Sequence, residues 1–101
     1  MEKVNILTKE QIDQELKNVE GWEYKNDKIS KQFEFKDFVD SLSFINELAP
    51  FCEALDHHPD VHIFYNKVLF ELQRLDVGGK VTDKDITVAK EIEKLYSLRK
   101  K

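Results

Sequence analysis

The sequence predicts an α+β domain, a four-stranded antiparallel sheet with three helices packed on one face in the order α-β-β-α-β-β-α. Three observations carry this. Trp22 to Phe35 and Val61 to Gln73 alternate apolar and polar residues around short turns, as hairpins do. The segments before, between and after them repeat apolar residues at helical spacing. The 101 residues, 41% hydrophobic and 11% aromatic, suffice for one core and contain no linker-like stretch, so residues 1–101 are read as a single domain.

The first helix is announced by Thr8 as N-cap with Gln11 three residues on, and by Leu7 placed to staple onto Ile12. Ile12, Leu16 and Val19 form its apolar stripe, and Gly21 is expected to stop it. Trp22 to Lys25 and Lys28 to Phe35 form the first hairpin, turned by Asn26-Asp27, with Trp22, Tyr24, Ile29, Phe33 and Phe35 toward the core. From Lys36 to Asp56 the period is helical. Phe38, Leu42, Ile45, Ala49, Cys52 and Leu55 lie on one side, and Phe44, Leu48 and Phe51 on another. So wide an apolar surface exceeds what one small sheet can cover, which suggests a second subunit. Pro50 interrupts this segment at a cost of about 3 kcal/mol or more, and predicts a kink near Asn46 or a restart at Pro50.

The second hairpin is expected to turn at Asn66-Lys67, pairing Tyr65 with Val68, Phe64 with Leu69, His62 with Glu71 and His58 with Leu75. Val68, Phe70 and Leu72 face the core; Phe64 and Leu69 share the His62 face, where they could line a ligand surface or a subunit contact. After the glycine loop at Asp76 to Lys80, Thr82 caps the last helix, Val81 staples onto Ile86, and Val88, Ile92 and Leu95 form the stripe. Asp83 and Asp85 near its start and Arg99, Lys100 and Lys101 at its end suit the helix dipole.

Charge narrows the function. Charged residues make up 36% of the chain with both signs mixed, and the net charge is -4, so no basic stripe is offered to nucleic acid. No apolar run reaches about 18 residues and no apolar segment follows a basic amino terminus, so neither a membrane span nor a secretion signal is read and a cytoplasmic location is expected. Cys52 is the only cysteine; it rules out an internal disulfide, speaks against a cysteine-based zinc site, and reads as a small core residue.

The chemistry concentrates at Asp56-His57-His58-Pro59-Asp60. A helix carrying Glu53 and His57 on one face, ended by Pro59, would send His58 in another direction. Two imidazoles beside a carboxylate can supply both an acid and a base near neutral pH. The other reading is a charged helix terminus with two solvated histidines. A metal centre built from His62, Glu71 and Glu53 competes with an ordinary cross-strand His62-Glu71 pair. Gly78 and Gly79 lack the lysine-serine ending of a phosphate loop and read as turn residues; Tyr65 and Trp22 read as core aromatics.

Glu53-Ala54-Leu55-Asp56-His57-His58-Pro59, Tyr65-Asn66-Lys67-Val68, Asp76-Val77-Gly78-Gly79 with Asp85, and Lys31 to Phe38 following Gly21-Trp22 resemble the pterin-4a-carbinolamine dehydratase family over nearly the whole chain. The resemblance implies an α+β fold and a homodimer or homotetramer. It also implies loss of water from a 4a-hydroxytetrahydropterin to give the quinonoid dihydropterin, in the recycling of tetrahydropterin for aromatic amino-acid hydroxylases. Animal relatives also act as dimerisation cofactors of a transcription factor. It places catalytic roles on His57 and His58, the nearby acid on Glu53, a pterin contact on Asp56 beside Pro59, and further contacts on Gln73, Arg74, Leu75 and Asp76. No cofactor or metal is implied, since the nitrogen next to the reacting carbon expels the leaving group.

One position departs from the family: its third catalytic histidine falls on Leu75, which can neither give nor take a proton. Two functional readings follow. The first is a dehydratase in which His57 and His58 share the proton transfers, with Glu53 in reserve. The second is a weakened or non-catalytic relative that binds a reduced pterin, a molybdopterin or a protein partner.

Overall fold

The computed structural model describes residues 5–73 and 78–99. Its elements are α1 (Lys9–Leu16), β1 (Glu23–Lys25), β2 (Lys28–Glu34), α2 (Phe38–Leu55), β3 (Asp60–Phe64), β4 (Lys67–Leu72) and α3 (Asp83–Arg99). The strands form one antiparallel sheet in the order β1-β2-β4-β3, so the predicted fold class and element order hold. The first hairpin turns at Asn26-Asp27, both with positive φ, the conformation that matches a two-residue turn to the twist of its strands.

Alternation along β2 and β4 puts Ile29, Phe33, Val68, Phe70 and Leu72 on one face, where they close against Ile12 of α1, Phe44, Leu48 and Cys52 of α2, and Val88, Ala89 and Ile92 of α3. Phe33, Phe35, Phe44, Phe70 and Tyr96 meet edge to face or tilted at 4.8–6.2 Å between ring centres, the arrangement their quadrupoles favour. Trp22 is buried as expected and donates Nε1–H to Glu93, which also takes Lys31 Nζ. Arg99 fastens the end of α3 to α2 through Asp40 and Glu47.

Several local expectations are corrected. The capping box of Thr8 and Gln11 is present, but α1 ends at Leu16 with Lys17 as cap, so Val19 is buried from the loop rather than from the helix. The central helix starts at Phe38, after an Asp37 N-cap, and runs unbroken through Pro50 with no restart. Pro50 and Asn46 are both exposed, so water can serve the carbonyl that the proline leaves without a donor. The stripe that α2 buries is Ser41, Phe44, Leu48 and Cys52; Phe38, Leu42 and Ala49 are exposed.

The second hairpin is displaced by two residues from the predicted register. It turns at Tyr65-Asn66, and the pairs are Phe64 with Lys67, Ile63 with Val68, His62 with Leu69, Val61 with Phe70 and Asp60 with Glu71. Tyr65 takes a positive φ of 57° and is 67% exposed, so it is a turn residue and not a core aromatic. Contacts across the fold hold this turn. Asn66 accepts from the Phe35 amide at 2.7 Å and donates its side-chain amide to the Phe35 carbonyl at 3.2 Å, while Ser41 donates to the Tyr65 carbonyl. A shift of two keeps every side chain on its face, which is why alternation alone could not separate the two registers.

Candidate active site

The histidine corner is shaped by the way α2 stops. Asp56 adopts the left-handed conformation, φ 55° and ψ 46°; its N–H binds the carbonyl of Glu53, and the N–H of His57 reaches back 3.1 Å to the carbonyl of Cys52. This pair of bonds is a Schellman stop, in which the left-handed residue reverses the chain. The helix therefore ends before Pro59 is reached, and His57 lies past the helix end rather than on one face with Glu53.

That reversal sends the adjacent imidazoles into unlike surroundings. His57 turns inward and is 5% exposed, and its Nε2 is bound to Oδ1 of Asp85, which is fully buried. The other carboxylate oxygen of Asp85 accepts from the Thr82 backbone N–H at 2.7 Å and from the Thr82 hydroxyl at 3.4 Å. Beside it the buried Lys84 donates its Nζ to the carbonyl of Leu55, the last residue of α2, at 3.3 Å. The first turn of α3 thus grips the end of α2 at two points.

His58 turns outward, with its side chain 52% exposed, and pairs through Nε2 with Oε2 of Glu53. The predicted partner of the acid, His57, is replaced by His58. With Pro59, His58 borders an apolar crevice of about 150 Å³ closed by Ile45, Leu48, Ala49, Cys52 and Val61. That is smaller than the roughly 300–1,000 Å³ of most ligand pockets. Burial pushes the Cys52 thiol up to about 11, so it offers no thiolate to this crevice at neutral pH.

Of the other predicted site residues, Asp56 is exposed at the turn. Gln73 spends its side-chain amide on the carbonyls of Asp27 and Gly79, at 3.1 and 3.2 Å. Arg74, Leu75 and Asp76 lie outside the described residues. The pairing of His58 with position 75 rested on the register that β3 and β4 do not adopt.

Of the residues of the metal alternative, His62 and Glu71 meet as a cross-strand pair while Glu53 is engaged elsewhere. Glu71 binds His62 at 2.9 Å and Lys28 at 3.1 Å, while Glu53 is held by His58. Partial burial works to raise the Glu71 carboxyl, but the bonds from Lys28 and His62 prevail and hold it below its ordinary value. Among the described residues no group of three His, Cys, Asp or Glu side chains is placed to hold a metal, and no helix is long and apolar enough to cross a membrane.

Asp85 enters the sequence reading only through the resemblance and the helix dipole, and its contact with His57 was not foreseen. A signal was present. Asp85, Val88, Ala89 and Ile92 occupy one stripe at helical spacing, and an acid set in an apolar stripe must find a buried partner.

The profile of the family described as pterin 4 alpha carbinolamine dehydratase matches residues 5–95. The chain is 42% identical over 89 residues to a Sulfolobus acidocaldarius protein carrying that family name, covering 88% of this chain and 97% of that one. A similarly named protein of Saccharolobus islandicus is 48% identical over 88 residues, covering 85% and 87%. Among solved structures, one described as a transcriptional coactivator/pterin dehydratase from Brucella melitensis superposes with a TM-score of 0.84 at 32% identity, covering 90% of this chain and 98% of that one. A pterin dehydratase-like protein described as a RuBisCO assembly factor shares the fold, with a TM-score of 0.57 at 20% identity over 73% of this chain and 84% of that one. By family profile, sequence identity and fold together, this chain belongs to the pterin 4 alpha carbinolamine dehydratase family.

Proposed function

We propose that the protein dehydrates a 4a-hydroxytetrahydropterin to the quinonoid dihydropterin, in the service of tetrahydropterin recycling, with His57 and His58 as the acid-base pair. The observation that carries this reading is that the two adjacent imidazoles are each joined to a carboxylate, one buried and one exposed. Unlike environments are what allow two like groups to act as acid and base in one step. One imidazole protonates the 4a-hydroxyl; the N5 lone pair forms the C4a=N5 bond as water leaves, and the N5 proton passes to the other imidazole or to Glu53. Atoms balance as one hydroxyl and one proton lost as water, with no redox change and no metal. Asp56, Pro59, Gln73, Arg74, Leu75 and Asp76 belong to the substrate-binding surface in this reading.

The assembly proposed is a homodimer or homotetramer in the cytoplasm. Its support is exposed apolar surface: Phe38, Val39 and Leu42 along α2, and Val61, Ile63 and Phe64 on β3, an edge strand whose five residues are all exposed.

Mixing the protein with freshly generated 4a-hydroxytetrahydropterin and following the loss of substrate tests the activity. A rate equal to the uncatalysed one would defeat it.

The second reading, a relative that binds a reduced pterin, a molybdopterin or a protein partner without turnover, is favoured by Leu75 at the position of the third histidine and by the word coactivator in the Brucella structure's description. Calorimetric titration with a reduced pterin separates the two. Tight binding with no dehydration supports the second reading, and weak binding with turnover the first.

A further inference from the structure

We propose that Asp85 is a positioning residue that holds His57 as the tautomer with its hydrogen on Nε2, so that proton exchange at this ring is confined to Nδ1. The inference rests on the dehydratase reading for its kinetic consequence, but not for the tautomer itself.

The geometry leaves few choices. Oδ2 of Asp85 receives the Thr82 backbone N–H, a donor fixed by the start of α3, and the Thr82 hydroxyl. Oδ1 is left for His57, and a carboxylate can only accept, so Nε2 must carry the hydrogen. Among the described residues nothing else bonds to the ring, and Nδ1 has no hydrogen-bond partner. A buried imidazole with one nitrogen spent on a carboxylate and the other, among the described residues, unspent is the arrangement by which a carboxylate positions a general base. His58 has no such constraint, because its partner Glu53 is an exposed side chain on a rotatable stem. Of the two rings, His57 is therefore the one whose proton-exchanging atom the fold decides. Asp85 touches no reacting atom and acts through His57.

Asp85→Asn tests the idea sharply because Thr82 dictates how the new amide sits. The fixed Thr82 N–H requires an oxygen opposite it, so the amide oxygen turns to Thr82 and the NH2 group turns to His57. Nε2 must then accept, and the hydrogen moves to Nδ1. Long-range 15N–1H correlation spectra of the protein above the titration range of its histidines report the tautomer of each ring. The chain has three histidines, so signals are assigned by loss in His58→Ala and His62→Ala.

The expected result is an Nε2–H tautomer for His57 in the native protein, an Nδ1–H tautomer in Asp85→Asn, and a fall in kcat of about 10²-fold or more with KM little changed. A native His57 that is Nδ1–H, or a mixture of tautomers, overturns the proposal. So does an Asp85→Asn protein that keeps the native tautomer, or one that switches tautomer and keeps the native kcat. Should Asp85→Asn not fold, the native spectrum decides alone. If the native protein proves not to dehydrate the pterin, the functional reading fails while the spectra still decide the tautomer.

Discussion

His57 Nε2 is bound to Asp85 Oδ1 inside the protein, although 28 residues separate them and each belongs to the end of a different helix. The bond ties the stop of α2 to the start of α3 and buries one histidine of an adjacent pair while the other stays at the surface with Glu53. Position along the chain hardly distinguishes His57 from His58. Their surroundings do, and several measurable consequences follow from the difference.

Truncating the two histidines should have opposite signatures. His57→Ala leaves the buried Asp85 carboxylate without its partner, and removing one member of a buried pair costs about 3–5 kcal/mol. His58→Ala removes an exposed pair of the kind worth about 0–1 kcal/mol, so stability should hold while dehydration slows by about 10²-fold or more. Urea unfolding and turnover on the two variants check this, and equal destabilisation by both would contradict it.

Leu75→His should raise the dehydration rate. A positioned acid-base group is typically worth about 10²- to 10⁴-fold, and an introduced histidine should recover at least about 10-fold of it. Side-by-side kinetics on the native and substituted proteins decide; no gain would mean that residue 75 does not approach the reacting ring.

Cys52 predicts an alkaline loss of stability. Burial favours the neutral thiol and lifts it from 9.0 to about 11 in the folded protein, so the unfolded chain releases this proton first as pH rises. The contribution is therefore complete below pH 9 and lost as pH climbs toward about 11. Urea midpoints should fall across that window, and Cys52→Ala should flatten the fall. The native thiol should also react with a disulfide reagent at neutral pH far more slowly than in denaturant.

Pro50→Ala should stabilise the protein. An exposed interior helix position gains up to about 3 kcal/mol when proline is replaced by alanine, because the bond to the carbonyl four residues back is restored and the ring clash removed. A higher urea midpoint with unchanged turnover is the expected outcome. A loss of turnover would show that the proline helps aim Glu53.

Much of the molecule could be read from residues close together in the chain. The Thr8-Gln11 capping box, the Asn26-Asp27 turn, the alternation of Ile29 to Phe35 and Val68 to Leu72, and the helical stripe Val88-Ile92 are short-range patterns, and each formed as read. The histidine corner was equally legible as a candidate site, since two histidines beside Asp56 and Glu53 need no tertiary knowledge to notice. Long-range contacts decided the rest. Whether the second hairpin turned at Asn66-Lys67 or Tyr65-Asn66 was invisible to a period of two, and the contacts of Phe35 and Ser41 with Tyr65 and Asn66 accompany the turn that formed. The partner of His57 was likewise beyond local pattern. Alternation and helical spacing say which side of an element a residue occupies, but only the meeting of α2 with α3 puts a buried carboxylate against one of two neighbouring imidazoles and leaves the other to water.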